Sequence, residues 1–122
     1  MAIFFQHQVV PVTAGADLSD AEGCFVKLSG GKAVVTTASD AANIFGLLHS
    51  AAPAEDTVSV ILPGHSGIVG MRLHSTATGV ETGTKLALAA NGTVKNAGGS
   101  DTPVAVALAA GTPGELVEAR FI

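Results

Sequence analysis

Hydrophobic and polar residues alternate with a period of two along most of this chain. Between residues 57 and 62, for example, Val58, Val60 and Leu62 fall on one side of an extended segment and the intervening residues on the other. This period indicates β-strands, in which successive side chains face opposite sides of a sheet. The pattern predicts ten strands, at residues 3–12, 23–28, 32–37, 44–49, 57–62, 67–74, 84–89, 93–95, 104–109 and 115–121.

Helical signals are confined to residues 39–45. Ser39 or Asp40 could cap a turn that passes through Ala41 and Ala42, but Gly46 ends the pattern at once. We therefore expect at most one short helical turn.

Turn residues separate the predicted strands. Asn91-Gly92 is the pair favoured by a type I′ hairpin, in which both central residues have positive φ, and Gly30-Gly31 occupies the corresponding place earlier in the chain. Both pairs predict tight hairpins.

The two halves of the chain share one plan of strands and turns. The segment from Gly23 reads GCFVKLSGGKAVV and that from Gly83 reads GTKLALAANGTVK. Aligned about 60 residues apart, the halves match Gly23 with Gly83, Val26 with Leu86, Leu28 with Leu88, Val34 with Val94, the segment 44–48 with 104–108, Pro53 with Pro113, Glu55 with Glu115 and, after one deletion, Val58, Val60 and Leu62 with Val117, Ala119 and Phe121. A duplicated unit is one interpretation. Two unrelated hairpin systems with a common rhythm are the other.

Many short strands in 122 residues predict one all-β domain spanning residues 1–122. The expected fold is a single small β-sandwich or a partly open, β-tulip-like barrel, built from two pseudo-repeats. Within it, residues 1–12 are either an extended N-terminal arm or an edge strand.

The composition favours a protein that assembles with other subunits. Charged residues make up 13% of the chain, against about a quarter in ordinary soluble domains, while hydrophobic residues make up 48%. The net charge of −4, with six Lys and Arg spread singly, argues against a nucleic-acid partner.

The single Cys24 lies in an apolar segment beside Phe25, so we expect a buried, reduced thiol and no disulfide. No apolar run approaches the ~20 residues of a membrane helix, and MAIFFQHQ lacks the features of a signal peptide. The sequence predicts synthesis in the cytoplasm and no membrane partner.

Candidate catalytic and metal-binding motifs are weak. The segment Gly64-His65-Ser66-Gly67 is similar to a hydrolase elbow, but Ile68 stands where that elbow needs glycine. His7, His49, His65 and His74 have no zinc-site spacing, and the carboxylates lie mostly in turns, where we interpret them as solvating charges. The sequence therefore predicts no catalytic residue, metal ligand or cofactor site, and not an enzyme.

The N-terminal strand is apolar on both faces near its start, at Ile3, Phe4 and Phe5. It is either an ordinary strand of the sheet or an arm that pairs with an exposed strand of another subunit.

Several segments together resemble the capsid cement or head decoration proteins of tailed bacteriophages. The resemblance runs from about Val9 onward through GCFVKLSGGKAVV, NIFGLL, DTVSVILPGHSGIVGM, GTKLALAANGTVK and AVALAAGTPGELVEARF. It implies a structural virion protein that binds the outer surface of the mature capsid, commonly as a homotrimer, and stabilises it. The implied partners are the major capsid protein and other copies of this chain.

On this interpretation the arm residues Ile3, Phe4, Phe5, His7 and Val9 contact the capsid. Arg72 and His74, which share one face of a predicted strand, form a polar surface or a subunit contact. A phage fibre, tail or adhesion module is an alternative, and a β-barrel enzyme or ligand-binding protein using His65, His74 and Arg72 is another.

Overall fold

The structure, a computed structural model, describes residues 9–64 and 67–122. It is all-β, with two antiparallel five-stranded sheets, as the alternation predicts. Each predicted strand has a counterpart, although the first is described only from Val9. The strands are β1 (Val9–Thr13), β2 (Phe25–Ser29), β3 (Lys32–Val35), β4 (Gly46–Ser50), β5 (Thr57–Ile61), β6 (Val69–Arg72), β7 (Lys85–Leu88), β8 (Val94–Asn96), β9 (Pro103–Ala107) and β10 (Leu116–Phe121).

Each half of the chain forms one sheet, and the two sheets have the same topology. The first has the order β1-β5-β4-β2-β3 and the second β6-β10-β9-β7-β8, so adding five to each strand number converts one order into the other. The common strand plan inferred from the sequence is therefore confirmed.

Backbone hydrogen bonds outside the regular strands repeat as well. The N–H of Leu48 donates to the carbonyl of Cys24 (2.8 Å), and the N–H of Ala107 donates to that of Thr84 (2.9 Å). The bond from Glu55 N–H to Ala14 O (2.9 Å) likewise has a counterpart from Gly114 N–H to Leu73 O (3.1 Å). The two halves thus share these backbone contacts as well as the order of their strands.

Four of the matches drawn from the sequence are wrong by one position. The segment 44–48 corresponds to 103–107 and not to 104–108, because Leu47 pairs with Phe25 as Val106 pairs with Lys85. Cross-strand pairing makes Ala33 the counterpart of Val94, because Ala33 faces Leu28 and Val94 faces Leu88, so Val34 does not correspond to Val94. The repeated hydrogen bonds match Pro53 with Thr112 and Glu55 with Gly114, not with Pro113 and Glu115. Glu55 and Gly114 also share a positive φ (71° and 81°), which supports their equivalence.

The length of the second hairpin explains why Val94 corresponds to Ala33 and not to Val34. Gly30 and Gly31 (φ 59° and 80°) join Ser29 directly to its partner Lys32, whereas Asn91 and Gly92 (φ 59° and 74°) close a loop that is one residue longer. Both pairs have the positive φ values that type I′ turns require, as predicted. The extra residue moves β8 by one position relative to β3.

Helical structure in residues 9–64 and 67–122 is limited to isolated 3-10 turns at Ala41–Asn43 and Ala90–Gly92. The first lies where a helical turn is expected, and the second is the longer hairpin loop. Asp40 precedes the first turn but makes no side-chain cap hydrogen bond to it. No helix among these residues is both long and apolar enough to cross a bilayer.

Each sheet curls until its outer strands approach one another. A parallel bridge joins Ala14, just after β1, to Ala33 in β3, and the equivalent bridge joins Leu73 to Val94. When five antiparallel strands form a ring, the first and fifth strands run in the same direction, so they can meet only as a parallel pair. The parallel bridges therefore indicate that each sheet forms a partly open barrel.

The two halves have separate cores but form one packed body. The first core lies inside the first sheet and is covered by the loop containing Ala14, Leu18 and Ala21. The second core lies inside the second sheet and also includes three residues of the first half, namely Phe25, Leu47 and Ile61. These three connect the halves through apolar contact.

Candidate functional site

The outer strand β1 is the described part of the predicted arm. Val9 pairs with Ile61, and β1 lies at one end of its sheet order, so Val9–Thr13 form an edge strand. Val9 is 47% exposed. The other predicted arm residues, Ile3, Phe4, Phe5 and His7, lie outside the described residues.

Arg72, a predicted subunit contact, lies in the seam between the two halves. Its backbone N–H donates to the carbonyl of Gly23 (2.8 Å), and its guanidinium donates to the carbonyls of Gly114 (3.3 Å) and Glu22 (3.4 Å). Arg72 therefore bonds to both halves of its own chain and keeps part of its side chain in an open cleft with Ser19 and Asp20.

His74 lies on the same side of the chain as Arg72, since buried Met71 and Leu73 alternate with them. Its Nδ1 accepts a hydrogen bond from the N–H of Thr76 (3.2 Å) and lies 2.8 Å from the Thr76 hydroxyl. This contact leaves Nε2 to carry the proton of the neutral ring. His74 is thus engaged in a local turn and does not line the cleft that contains Arg72.

The alternative site of His65, His74 and Arg72 is only partly described, because His65 lies outside the described residues. Within residues 9–64 and 67–122, no group of three or more His, Cys, Asp or Glu side chains is placed to hold a metal ion. Cys24 is buried, and burial raises the pKa of its thiol, against a smaller lowering by the charge of Arg72. A thiol in that state is a poor nucleophile.

Asp40 corrects the interpretation of the carboxylates as solvating charges. It is 7% exposed, and its Oδ2 accepts hydrogen bonds from Lys27 Nζ (2.8 Å), the N–H of Thr37 (2.8 Å) and the Thr37 hydroxyl (3.0 Å). The Lys27 ammonium, followed by the Thr37 N–H, holds the pKa of Asp40 well below its ordinary value. Sequence reasoning missed this because Lys27 is 13 residues away.

A groove opens where the halves meet. Its volume is about 260 Å³, and it is lined chiefly by Phe25, Ile44, Pro63, Pro103, Val104, Phe121 and Ile122. Ile122 is 63% exposed there. The alternation within each strand predicts that these residues are apolar. Only the tertiary fold brings the groove residues of the first half next to those of the second.

The outer face of the second sheet carries two cations at positions where the first sheet has apolar residues. Lys85 pairs with Val106, which pairs with Arg120 on the next strand. The corresponding row in the first sheet is Phe25, Leu47 and Ile61. The two rows occupy equivalent strands but differ in chemistry.

Comparison of the sequence with protein-family models and with curated proteins gives no match.

Proposed function

We propose that this protein is a structural virion component that binds the outer surface of a mature phage capsid and stabilises it, as a decoration or cement protein. The major capsid protein and other copies of this chain, as a homotrimer on the capsid, are its partners. The protein acts mechanically and is not an enzyme.

The edge strand β1 carries this proposal. Its described residues end a sheet, and the strongly apolar sequence Ile3-Phe4-Phe5 lies three residues before it in the chain. An edge strand offers backbone N–H and C=O groups to a strand of another protein, and apolar side chains next to it add hydrophobic contact. The low charge of the chain lowers the desolvation cost of such an interface.

The repeated scaffold is consistent with a structural role. Two halves with one topology supply two cores and a packed seam, and the described polar groups of the seam bond mainly to backbone carbonyls. A subunit that binds only the mature shell stabilises that shell by mass action, and symmetry repeats its contact many times.

Sedimentation with phage heads tests the proposal. Purified protein is mixed with mature heads and with immature heads, the heads are pelleted, and the bound protein is quantified. We expect saturable binding to mature heads at a fixed ratio to the capsid protein. Absence of binding to any expanded shell would contradict the proposal.

Variants of the arm test the role of the N-terminal residues. Replacement of Ile3, Phe4 and Phe5 by Ser should weaken binding to mature heads while the far-ultraviolet circular dichroism spectrum stays unchanged. Leu28→Ser is the matched control, because Leu28 is 45% exposed but lies on β2, which does not pair with β1. Equal loss of binding in both variants would show that the arm has no special role.

A further inference from the structure

Equivalent rows of side chains cross the same three strands in each half. In the first half Phe25 on β2 pairs with Leu47 on β4, which pairs with Ile61 on β5. In the second half Lys85 on β7 pairs with Val106 on β9, which pairs with Arg120 on β10. We call these the first ladder and the second ladder.

The first ladder is the surface through which the first half contacts the second. Its members are 1%, 1% and 5% exposed for Phe25, Leu47 and Ile61, and they belong to the core of the second half. Phe25 also meets the ring of Phe121. The second ladder is open to solvent, since Lys85 and Arg120 are exposed and Val106 is half-buried.

The contact between the halves joins two different surfaces. The first half contributes the first ladder and the carbonyl of Gly23, whereas the second half contributes Phe121 and the N–H of Arg72. A contact between unlike surfaces can repeat from molecule to molecule without closing, which produces open-ended assemblies. Because the halves share one topology, both surfaces have counterparts that a second copy could use.

These counterparts can be named from the repeat. The second ladder takes the place of the first, and Gly83 takes the place of Gly23, since their N–H groups make equivalent bonds to Leu48 and Ala107. The receiving side is the surface that contacts the first ladder, and in the intact chain it includes Arg72 and Phe121 of the second half. Its counterpart to Arg72 in the first half is Thr13, because Thr13 precedes Ala14 and Arg72 precedes Leu73, the residues that form the two parallel bridges. Leu62, the residue after β5, takes the place of Phe121.

The two cations oppose this repeated contact. Among the described residues, neither Lys85 nor Arg120 forms an ion pair with a carboxylate. The equivalent of Pro103 is Ile44, which already lines the groove between the halves of its own chain. The receiving positions equivalent to Val104 and Phe121 are Phe45 and Leu62, which are apolar and provide no counter-charge. Burying an unpaired ammonium and guanidinium against them is strongly unfavourable.

We propose that Lys85 and Arg120 prevent this chain from stacking end to end on a second copy through the contact that joins its own halves. The second ladder is an interface for the first half of another copy that these two cations keep inactive. This inference does not depend on capsid binding.

The double variant K85F/R120I, which copies the first ladder, tests the proposal by sedimentation velocity over a range of concentrations. We expect its weight-average mass to at least double and to rise further with concentration, while the wild-type protein shows no such growth through this face. A sedimentation profile identical to that of the wild type would overturn the proposal.

Two further variants distinguish this contact from nonspecific association through exposed apolar side chains. S75F/T78I places the same two side chains at exposed positions of the loop after β6, outside both ladders, and it should sediment like the wild type. Adding Thr13→Pro to K85F/R120I removes the N–H that corresponds to that of Arg72, at an edge position where proline is tolerated, and should reverse the association. Association of S75F/T78I, or persistent association after Thr13→Pro, would also overturn the proposal.

Discussion

The rings of Phe25 and Phe121 meet edge to face, with centroids 6.0 Å apart and planes inclined by 73°. Phe25 belongs to β2 of the first half and Phe121 is the last residue of β10 in the second half. This pair joins β2 of one sheet to β10 of the other, so it is a direct probe of the contact between the halves.

Substitution of both rings should reveal a favourable coupling. Phe25→Leu and Phe121→Leu each lower the free energy of unfolding, and the double variant should lose about 1 kcal/mol less than the sum of the single losses, because edge-to-face pairs contribute that much beyond burial. Urea unfolding of the four proteins measures the coupling. Leu18→Ala, in the first core, should instead combine additively with Phe121→Leu.

Asp40→Asn should lower the urea midpoint at pH 7, since it removes the carboxylate that binds Lys27 and Thr37. The pKa of Asp40 is lowered in the folded protein, so its contribution is fully present above the ordinary Asp pKa of about 3.9 and is lost as the pH falls through the folded pKa. The difference between wild type and variant should therefore narrow progressively below about pH 4. Asp20→Asn, at an exposed position, is the control and should change the midpoint little. A difference that stays constant down to pH 2 would contradict this account.

Thr36→Val should raise the free energy of unfolding by about 1 kcal/mol. Thr36 is 0% exposed, and its hydroxyl has no hydrogen-bond partner within residues 9–64 and 67–122, so valine keeps the shape and removes an unpaired polar group. Thr36→Ser keeps the hydroxyl and loses a methyl group, which should lower stability by about 1 kcal/mol. Destabilisation by valine would show that the hydroxyl is bonded in solution.

Gly92→Ala should destabilise the protein far more than Gly30→Ala. Both glycines have positive φ (74° and 59°), so alanine costs about 1 kcal/mol at either position through backbone strain. At Gly92 the new methyl group would also collide with the carbonyl O of Phe25 and lie 3.0 Å from Cys24 Cβ, whereas at Gly30 nothing lies within 4 Å. Overpacking should add about 2 kcal/mol at Gly92, measurable by thermal or urea unfolding. Equal losses at the two positions would show that the second hairpin does not press on the first half.

The strands and hairpins were predictable from the sequence because their signals are local. Alternation marks the two faces of a strand, and Gly30-Gly31 and Asn91-Gly92 supply the backbone conformations that tight turns need. The alignment of the halves was less predictable. Because the second hairpin has one extra residue, Val94 is structurally equivalent to Ala33, and only cross-strand pairing reveals this.

The seam could not be predicted from local patterns. Nothing near Arg72 in sequence indicates that its N–H donates to Gly23, and nothing near Asp40 indicates the ammonium of Lys27. These contacts depend on the packing of residues far apart in the chain. The arm residues Ile3, Phe4, Phe5 and His7 remain predictions, as does the role of Arg72 and His74 in a subunit contact.

The pairing of β1 with β5, and of β6 with β10, places the start and the finish of each half side by side. A unit whose ends are neighbours can be copied in tandem with a short connection, because the chain leaves it beside the point where it entered. Residues 62–68 are all that lies between β5 and β6. Gene fusion of one such unit to another thus requires no rearrangement of either fold.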